Sequence, residues 1–251
     1  MRSLCPILAA LTVFAAALPA AWASDLPEFR PALMGTKGAF HRSLVNLIDG
    51  KGLVKKGQKD AVVLFTCAVL KSGQGGDILV YRGTPGSERL QKELLRLSHR
   101  ASFNPAIYKH ETVAVNFIGT VVFVVRDGQP HLRIYLHQQE EDFKSDADFV
   151  APQLALPMKK GMHPYLGWPK EAPHDVEGAV ALLNVDVDVS GKVTGANVAF
   201  EHPERMGFGR EGVRFIRECV FIPGFHDGKM VPCRFAFPVF YSSRRHKFKI
   251  E

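Results

Sequence analysis

The sequence predicts an α+β fold made of two tandem small domains, each with the order strand, strand, helix, strand and with an antiparallel sheet packed on its helix. Three observations lead to this prediction. The chain contains an internal repeat, each copy shows strand-like alternation of apolar and polar residues, and each copy contains one amphipathic helix. The 251 residues of the chain are enough for two domains of this size.

The repeat is found when the sequence is aligned with itself at an offset of 118 residues, where residues 61–121 match residues 179–239 without a gap. Fifteen of the 61 aligned pairs are identical, whereas unrelated sequences of ordinary composition match at about 6% of positions. The identical pairs include Gly73 with Gly191, at a predicted turn. We interpret the alignment as a duplication, and two copies indicate a tandem pair rather than a solenoid, which needs three or more repeats.

The second copy begins with a predicted β-hairpin. Val185, Val187 and Val189 alternate with polar residues, which is the pattern of a strand with one buried face. Gly191 then allows a tight turn, because glycine tolerates the positive φ that such turns require. The second strand of this hairpin is expected to end near Phe200.

A helix and a third strand follow this hairpin. Apolar residues at helical spacing predict an amphipathic helix over residues 209–220, and Pro223 is expected to stop it. A third strand is predicted over residues 231–241, where apolar residues again alternate. Aromatic residues at matching positions of the two copies are expected to lie in the core; they are Phe103, Phe117, Phe221 and Phe235.

The first copy follows the same order. Its strands are predicted over residues 62–70, 77–81 and 113–125, and its helix over residues 90–97. After the third strand, Asp127-Gly128 lies between two alternating runs and predicts a hairpin turn. This copy is therefore expected to have an extra strand over residues 131–137, beside its third strand.

The first 23 residues have the pattern of a cleavable secretory signal. Arg2 precedes an apolar run over residues 4–18, and the small residues Ala21 and Ala23 precede the expected cleavage site. The run is shorter than the about 20 apolar residues that a transmembrane helix needs. We therefore expect the protein to be exported to the periplasm through a cleaved signal peptide.

These patterns divide the chain into five segments. They are a signal peptide (1–23), a first domain that includes the extra strand (24–141), a proline-containing linker (142–162), a second domain (163–243) and a basic tail (244–251). Removal of the signal leaves 31 basic and 25 acidic residues. Because the basic residues outside the tail are spread along the chain, we expect no nucleic-acid partner.

Three cysteines remain after cleavage: Cys67, Cys219 and Cys233. An odd number in an oxidising compartment permits one disulfide within the chain, and Cys219 with Cys233 is the nearest pair in sequence. Buried thiols are the other possibility. Cys219 also lies near His226 in sequence, but nothing there indicates an activated nucleophile.

Other polar pairs are interpreted as structural. Asp186 and Asp188 are expected on the solvent-exposed face of a strand, because two carboxylates with no further oxygen ligands make a poor cation site. His131 and His137 would be roughly 20 Å apart in an extended strand, which excludes a shared metal ion. We therefore expect no catalytic residue, no cofactor and no metal site.

The second copy and the segment before it carry an ordered set of motifs. Trp168, Pro169 and Ala172 form an aromatic-Pro-x-x-Ala segment, Glu177-Gly178 opens the first strand, and an aromatic-x-Pro begins at Phe221, after the helix. With the glycine-centred hairpin and the final strand, residues 163–243 resemble the C-terminal domain of the TonB energy transducers. The first copy resembles a degenerate version, because it lacks the Trp-Pro segment and the Glu-Gly opening.

This resemblance implies a periplasmic, non-catalytic protein-binding module that is associated with TonB-dependent outer-membrane transport. In TonB-like domains an extended peptide adds to the final strand, so the implied partner is a protein or peptide such as the N-terminal segment of an outer-membrane receptor. Carried over by position, the implied binding residues are Cys233, Arg234, Phe235, Ala236 and Phe237. The alternative function is a membrane-anchored TonB-type energy transducer with an uncleaved N-terminal helix.

Overall fold

The computed structural model of the protein describes residues 26–34, 43–138, 148–156, 166–173 and 175–242. Within these ranges the chain is an α+β protein, which confirms the α+β part of the predicted fold class. The helices are α1 (Leu44–Leu47), α2 (Gly50–Lys55), α3 (Glu88–Leu97) and α4 (Phe208–Glu218). The strands are β1 (Phe29–Arg30), β2 (Leu33–Met34), β3 (Ala61–Val69), β4 (Gly75–Gly83), β5 (Phe103–Asn104), β6 (Ala106–Tyr108), β7 (Glu111–Val113), β8 (Val115–Arg126), β9 (Gln129–Tyr135), β10 (Phe149–Val150), β11 (Gln153–Ala155), β12 (Gly178–Val187), β13 (Val193–His202), β14 (Phe221–Ile222), β15 (Gly224–His226), β16 (Lys229–Val231) and β17 (Cys233–Ser242). The predicted signal peptide and basic tail lie outside the described residues.

The sheet of the first half is built on β3. This strand forms a hairpin with β4 and pairs antiparallel with β8 on its other edge. β9 pairs with the far edge of β8 through a turn at Asp127-Gly128, where both residues have positive φ. The extra strand that the Asp-Gly signal predicts is therefore present.

Helix α3 covers one face of this sheet. Leu90, Leu94 and Leu97 lie on one side of the helix and are buried. They share a core cluster with Phe65 of β3 and Phe117 of β8, whose rings are 5.9 Å apart in an edge-on arrangement. Burial of a side chain of this size contributes about 1.5–3 kcal/mol, so the helix is held mainly by its apolar face.

The second half has a three-stranded sheet in the order β13, β12, β17, with α4 packed on one face. Its hairpin is formed by β12 and β13, and the second strand ends near Phe200, as the sequence predicts. The helix ends at Glu218 rather than at residue 220, because Cys219 is extended and Val220 forms a β-bridge with Lys192. The predicted third strand is divided, since Val231 belongs to β16 and Pro232 separates β16 from β17.

Backbone contacts recur at the repeat offset. Gly191 has a φ of 80°, and its carbonyl accepts the N–H of Phe221 at 2.9 Å. The equivalent Gly73 has a φ of 83°, and its carbonyl accepts the N–H of Phe103 at 2.7 Å. In each half, this glycine joins the turn of the hairpin to the strand that follows the helix.

Side-chain packing recurs in the same way. The rings of Phe103 and Phe117 are 5.7 Å apart and edge-on, and so are those of Phe221 and Phe235. All four phenylalanines are buried, as their recurrence predicts. The small hairpin of β6 and β7 also corresponds residue by residue to that of β15 and β16.

Residues 148–156, which we expected to belong to a linker, form two strands. β10 pairs with β15, while β11 lies between β14 and β8 and so connects the two halves. Gln153 of β11 is fully buried, and its side-chain amide accepts from the Ala32 N–H at 2.7 Å and donates to the Ala32 carbonyl at 2.9 Å. Strands of two or three residues are too short to produce a detectable alternation, which explains the difference.

The two halves also contact each other through the sheet faces that carry no helix. Ile118 of β8 is buried and packs in the core cluster of the second half, whereas Ile222 packs in that of the first half. The ring of Tyr81 lies 5.8 Å from the ring of Phe240. Each core cluster therefore contains residues from both halves.

Candidate functional site

The candidate site is the outer edge of β17, the last strand of the described chain. β17 pairs with β12 in an unbroken antiparallel register and ends the sheet on that side. Among the described residues, no strand pairs with the other edge of residues 235–241. An edge strand of this kind presents backbone N–H and C=O groups that another strand can use.

The register shows which backbone groups of β17 point outward. Pro238 has no N–H, and proline within a sheet takes a position where that group would face away from the neighbouring strand. Outward-facing positions alternate along an antiparallel strand. Ala236 and Phe240 therefore direct both their N–H and their C=O groups away from β12, and Pro238 directs its C=O.

The equivalent strand β8 supports this assignment. The Ala114 carbonyl, just before β8, accepts the N–H of Leu156 at 2.8 Å on the side away from β3. The N–H of Val125 donates to Asp60, which precedes β3, at 2.8 Å. The backbone N–H and C=O groups of even-numbered residues in β8 thus point away from β3. Because the repeat offset of 118 is an even number, the even-numbered residues of β17 point outward as well.

The outer edge of β8, unlike that of β17, is covered by the chain itself. β11 pairs with residues 115–116, and β9 pairs with residues 120–126. The positions of β17 that correspond to the first part of the β9 ladder are Pro238 to Tyr241. Two strands with the same register and the same helix-covered face therefore differ in what lies on their outer edge.

Two of the five predicted binding residues anchor the strand. Phe235 and Phe237 are buried, and their rings pack edge-on against Phe221 at 5.7 and 5.9 Å. Tyr241 is also buried, and its hydroxyl donates to the Phe208 carbonyl at the start of α4 at 2.7 Å. These side chains hold β17 on the helix side, so they are not available to a partner.

The other three predicted residues lie on the opposite face or are half-buried. Arg234 donates two hydrogen bonds to the carboxylate of Asp186, at 2.7 and 2.9 Å, in a largely exposed pair. Cys233 and Ala236 are half-buried. Of the five residues, Ala236 combines an outward backbone with a small side chain.

A cavity of about 190 Å³ lies beside this part of β17, between the two halves. It is lined by Ile118, His137, Gln138 and Ala151 on one side and by Asn184, Arg234, Phe235 and Ala236 on the other. Ile118 and Ala236 are equivalent positions of the repeat, so the helix-free faces of β8 and β17 meet at this cavity. The repeat alignment is the sequence signal that could have indicated that Ile118 and Ala236 lie at one site. No sequence signal indicated that Asn184, His137 and Gln138 belong to it.

The polar pairs noted in the sequence have structural roles. Asp188 accepts hydrogen bonds from the N–H groups of Ser190 and Lys192 at 2.9 and 3.0 Å, and a further one from the Ser190 hydroxyl. Together these bonds lower the pKa of the Asp188 carboxyl group, and the bond from the Ser190 side chain has the largest effect. His137 is buried, with its ring 5.4 Å from that of Phe149. In the described ranges, no group of three or more His, Cys, Asp or Glu residues could hold a metal ion.

Two of the three cysteines, Cys67 and Cys219, do not have the properties of nucleophiles. Cys67, Cys219 and Cys233 form no disulfide with one another. Burial raises the pKa of Cys219 to about 12 and raises that of Cys67 still further, so both thiols are protonated at neutral pH. The ring of His226 packs against Phe149 at 6.3 Å.

The predicted binding residues thus lie along β17, which ends its sheet, and some of them line the cavity beside it. None of the helices in the described part of the chain is long and apolar enough to cross a membrane. Comparisons with protein-family models, with curated proteins and with solved structures give no match.

Proposed function

We propose that the protein is a non-catalytic, periplasmic protein-binding module associated with TonB-dependent outer-membrane transport. In this proposal, the outer edge of β17 binds an extended segment of a partner, such as the N-terminal segment of an outer-membrane receptor. The observation that carries the proposal is the contrast between equivalent strands. The outer edge of β8 is paired by β9 and β11, whereas no described strand pairs with residues 235–241 of β17.

The proposal includes two tandem TonB-like domains, a degenerate one over residues 24–141 and a second over residues 163–243. The motif residues before β12 support it. Trp168 packs edge-on against Phe208 of α4 at 5.1 Å, and its indole N–H donates to the Ala172 carbonyl at 3.3 Å. The aromatic and the alanine of this segment therefore act together to dock it on the helix.

In this proposal, the outer edge of β17 supplies backbone hydrogen-bonding groups to an added strand. Ala236 and Phe240 each offer an outward N–H and C=O, and Pro238 offers a C=O. A backbone hydrogen bond contributes about 0.5–1.5 kcal/mol net, so a peptide that uses these five groups gains a few kcal/mol from the backbone alone. The buried aromatic side chains on the other side hold the strand in place, which reduces the ordering cost of binding.

The proposal is tested by titrating synthetic peptides from the N-terminal segments of TonB-dependent receptors into the full-length protein. We expect Ala236→Pro to weaken binding about tenfold or more, because it removes one outward donor and leaves a peptide carbonyl unpaired. Ala236→Ser keeps the N–H and is the matched control, with binding expected to stay near that of the parent protein. Undiminished binding to a folded Ala236→Pro protein would overturn the edge mechanism.

We also propose that the signal peptide is cleaved after Ala23. Mass spectrometry of the protein isolated from its producing cells should then give a mature N terminus at Ser24, in the soluble periplasmic fraction. Recovery from the membrane fraction with an intact Met1 end would contradict cleavage and would favour the anchored transducer.

A further inference from the structure

The cavity between the halves lies next to the point where a partner strand would pair with Ala236. Ala236 is half-buried and lines the cavity, with Asn184 opposite it on the neighbouring strand β12. Both residues lie on the sheet face that carries no helix, because Phe235 and Phe237 point to the helix side. Side chains of an added strand that share this face therefore extend the row formed by Asn184 and Ala236.

The size of the cavity suits one side chain. Its volume is about 190 Å³, which is smaller than the pockets of about 300–1,000 Å³ that hold whole small-molecule ligands. An apolar cavity of about 150 Å³ is large enough for benzene. The cavity therefore has room for a leucine, methionine or phenylalanine side chain and no more.

The walls of the cavity favour an uncharged occupant. Ile118 and Ala151 are buried and pack in the core cluster of the second half, and the lining also includes the polar side chains of His137, Gln138 and Asn184. The charge of Arg234, at the rim, is matched by the carboxylate of Asp186 through two hydrogen bonds. A carboxylate placed here would lose hydration and would have to share Arg234 with Asp186, and an ammonium group would meet the positive charge of Arg234, so either charged group is unfavourable.

We infer that this cavity is a specificity pocket, which receives one uncharged, mainly apolar side chain of the segment bound at β17. The inference rests on the proposed function and deepens it, because it assigns the choice of partner to residues of both halves. The backbone of β17 then gives affinity for any extended segment, and the pocket selects among segments.

The test uses the receptor-derived peptide that binds the full-length protein most tightly. Each of its positions is replaced in turn by alanine, leucine and aspartate, and the dissociation constants are compared. At one position we expect leucine to bind about tenfold more tightly than alanine, since it buries several more carbon atoms, and aspartate to bind at least about tenfold more weakly than alanine. If no position shows this order, the pocket is not used.

Two variants link that position to the cavity. Ala151→Leu fills the cavity from the side opposite β17, and Ala236→Leu fills it from β17 while keeping the backbone N–H. Each should remove the preference for leucine over alanine, and Ala151→Leu, which lies outside β17, should leave the affinity for the alanine peptide nearly unchanged. A preference that survives in both folded variants overturns the pocket. Failure of the proposed function can be distinguished from failure of the pocket. If the proposed function is wrong, the parent protein binds none of the peptides, or Ala236→Pro has no effect on binding.

Discussion

Gly191 and Gly228 are both glycines at turns, but glycine is needed at the two positions for different structural reasons. Both have positive φ, at 80° and 74°. A Cβ at Gly191 would collide with the Phe221 carbonyl, whereas at Gly228 nothing lies within 4 Å. The first glycine is therefore required by its neighbour and by its backbone angle, and the second by its backbone angle alone.

Alanine substitution should separate these two requirements. Gly228→Ala is expected to lower the free energy of unfolding by about 1 kcal/mol, which is the cost of a left-handed backbone for an L-residue. Gly191→Ala should cost about 3 kcal/mol, because the turn must also move away from Phe221. Denaturant unfolding of both variants measures the difference, and equal losses would show that the contact with Phe221 is unimportant.

Asp188 makes the stability of the hairpin formed by β12 and β13 depend on pH. Hydrogen bonds, first of all that from the Ser190 side chain, lower the pKa of its carboxyl group in the folded protein. A group with a lowered folded-state pKa stabilises the fold above its unfolded-state pKa, and this contribution is lost as the pH falls through the folded-state value. We expect the parent protein to be more stable than Asp188→Asn at pH 6, with a difference that shrinks below about pH 4.

Thermal unfolding of both proteins between pH 2 and pH 7 measures this effect. Because Asp188 is only half-buried, the difference should also be smaller at high salt. A difference that stays constant across the pH range would mean that the turn depends on the shape of the side chain and not on its charge.

At the scale of elements, the equivalent strands β8 and β17 should respond differently to proline. Val122 of β8 faces β9, opposite Arg133. Its counterpart in β17 is Phe240, and no described strand pairs with its outer side. Val122→Pro should therefore lower stability by about 3 kcal/mol through the loss of its hydrogen bond to β9, while Phe240→Pro should cost clearly less.

The alanine variants at the same two positions are the controls, because they remove the side chain and keep the N–H group. The relevant quantity is the loss on going from alanine to proline, measured by denaturant unfolding. Similar losses at Val122 and Phe240 would indicate that the outer edge of β17 is already paired.

The elements that the sequence predicted are those with enough residues to show a period. Seven of the described strands have seven or more residues, and α3 and α4 each have two turns or more. β1, β2, β10 and β11 have two or three residues, so they carry no periodic signal and depend on long-range partners. The same limit applies to the site. The final strand could be predicted from its sequence, but which of its residues point their backbone groups outward is known only from the strand pairing. The cavity is known only from the contact between the two halves.

At the scale of the whole molecule, the strands of residues 148–156 determine where the second half begins. Phe149, Ala151 and Leu154 belong to the core cluster of the second half, and β11 pairs with β14. A fragment of residues 148–251 keeps these contacts, whereas a fragment of residues 163–251 loses them. Burial of Phe149 and Leu154 alone is worth about 4 kcal/mol.

The longer fragment should therefore unfold cooperatively and at a higher temperature than the shorter one. Far-UV circular dichroism during heating measures both transitions. Equal melting temperatures would show that residues 148–156 belong to a linker, as the sequence suggested, and that their pairing with the second half contributes little.

The hydrogen bonds between Gln153 and Ala32 join residues that are 121 positions apart. A growing polypeptide emerges with its N terminus first, so Ala32 has been synthesised long before Gln153 exists to bind it. During that interval the backbone of Ala32 depends on water or on a temporary partner. The first half can therefore reach its final state only after residue 153 has been made.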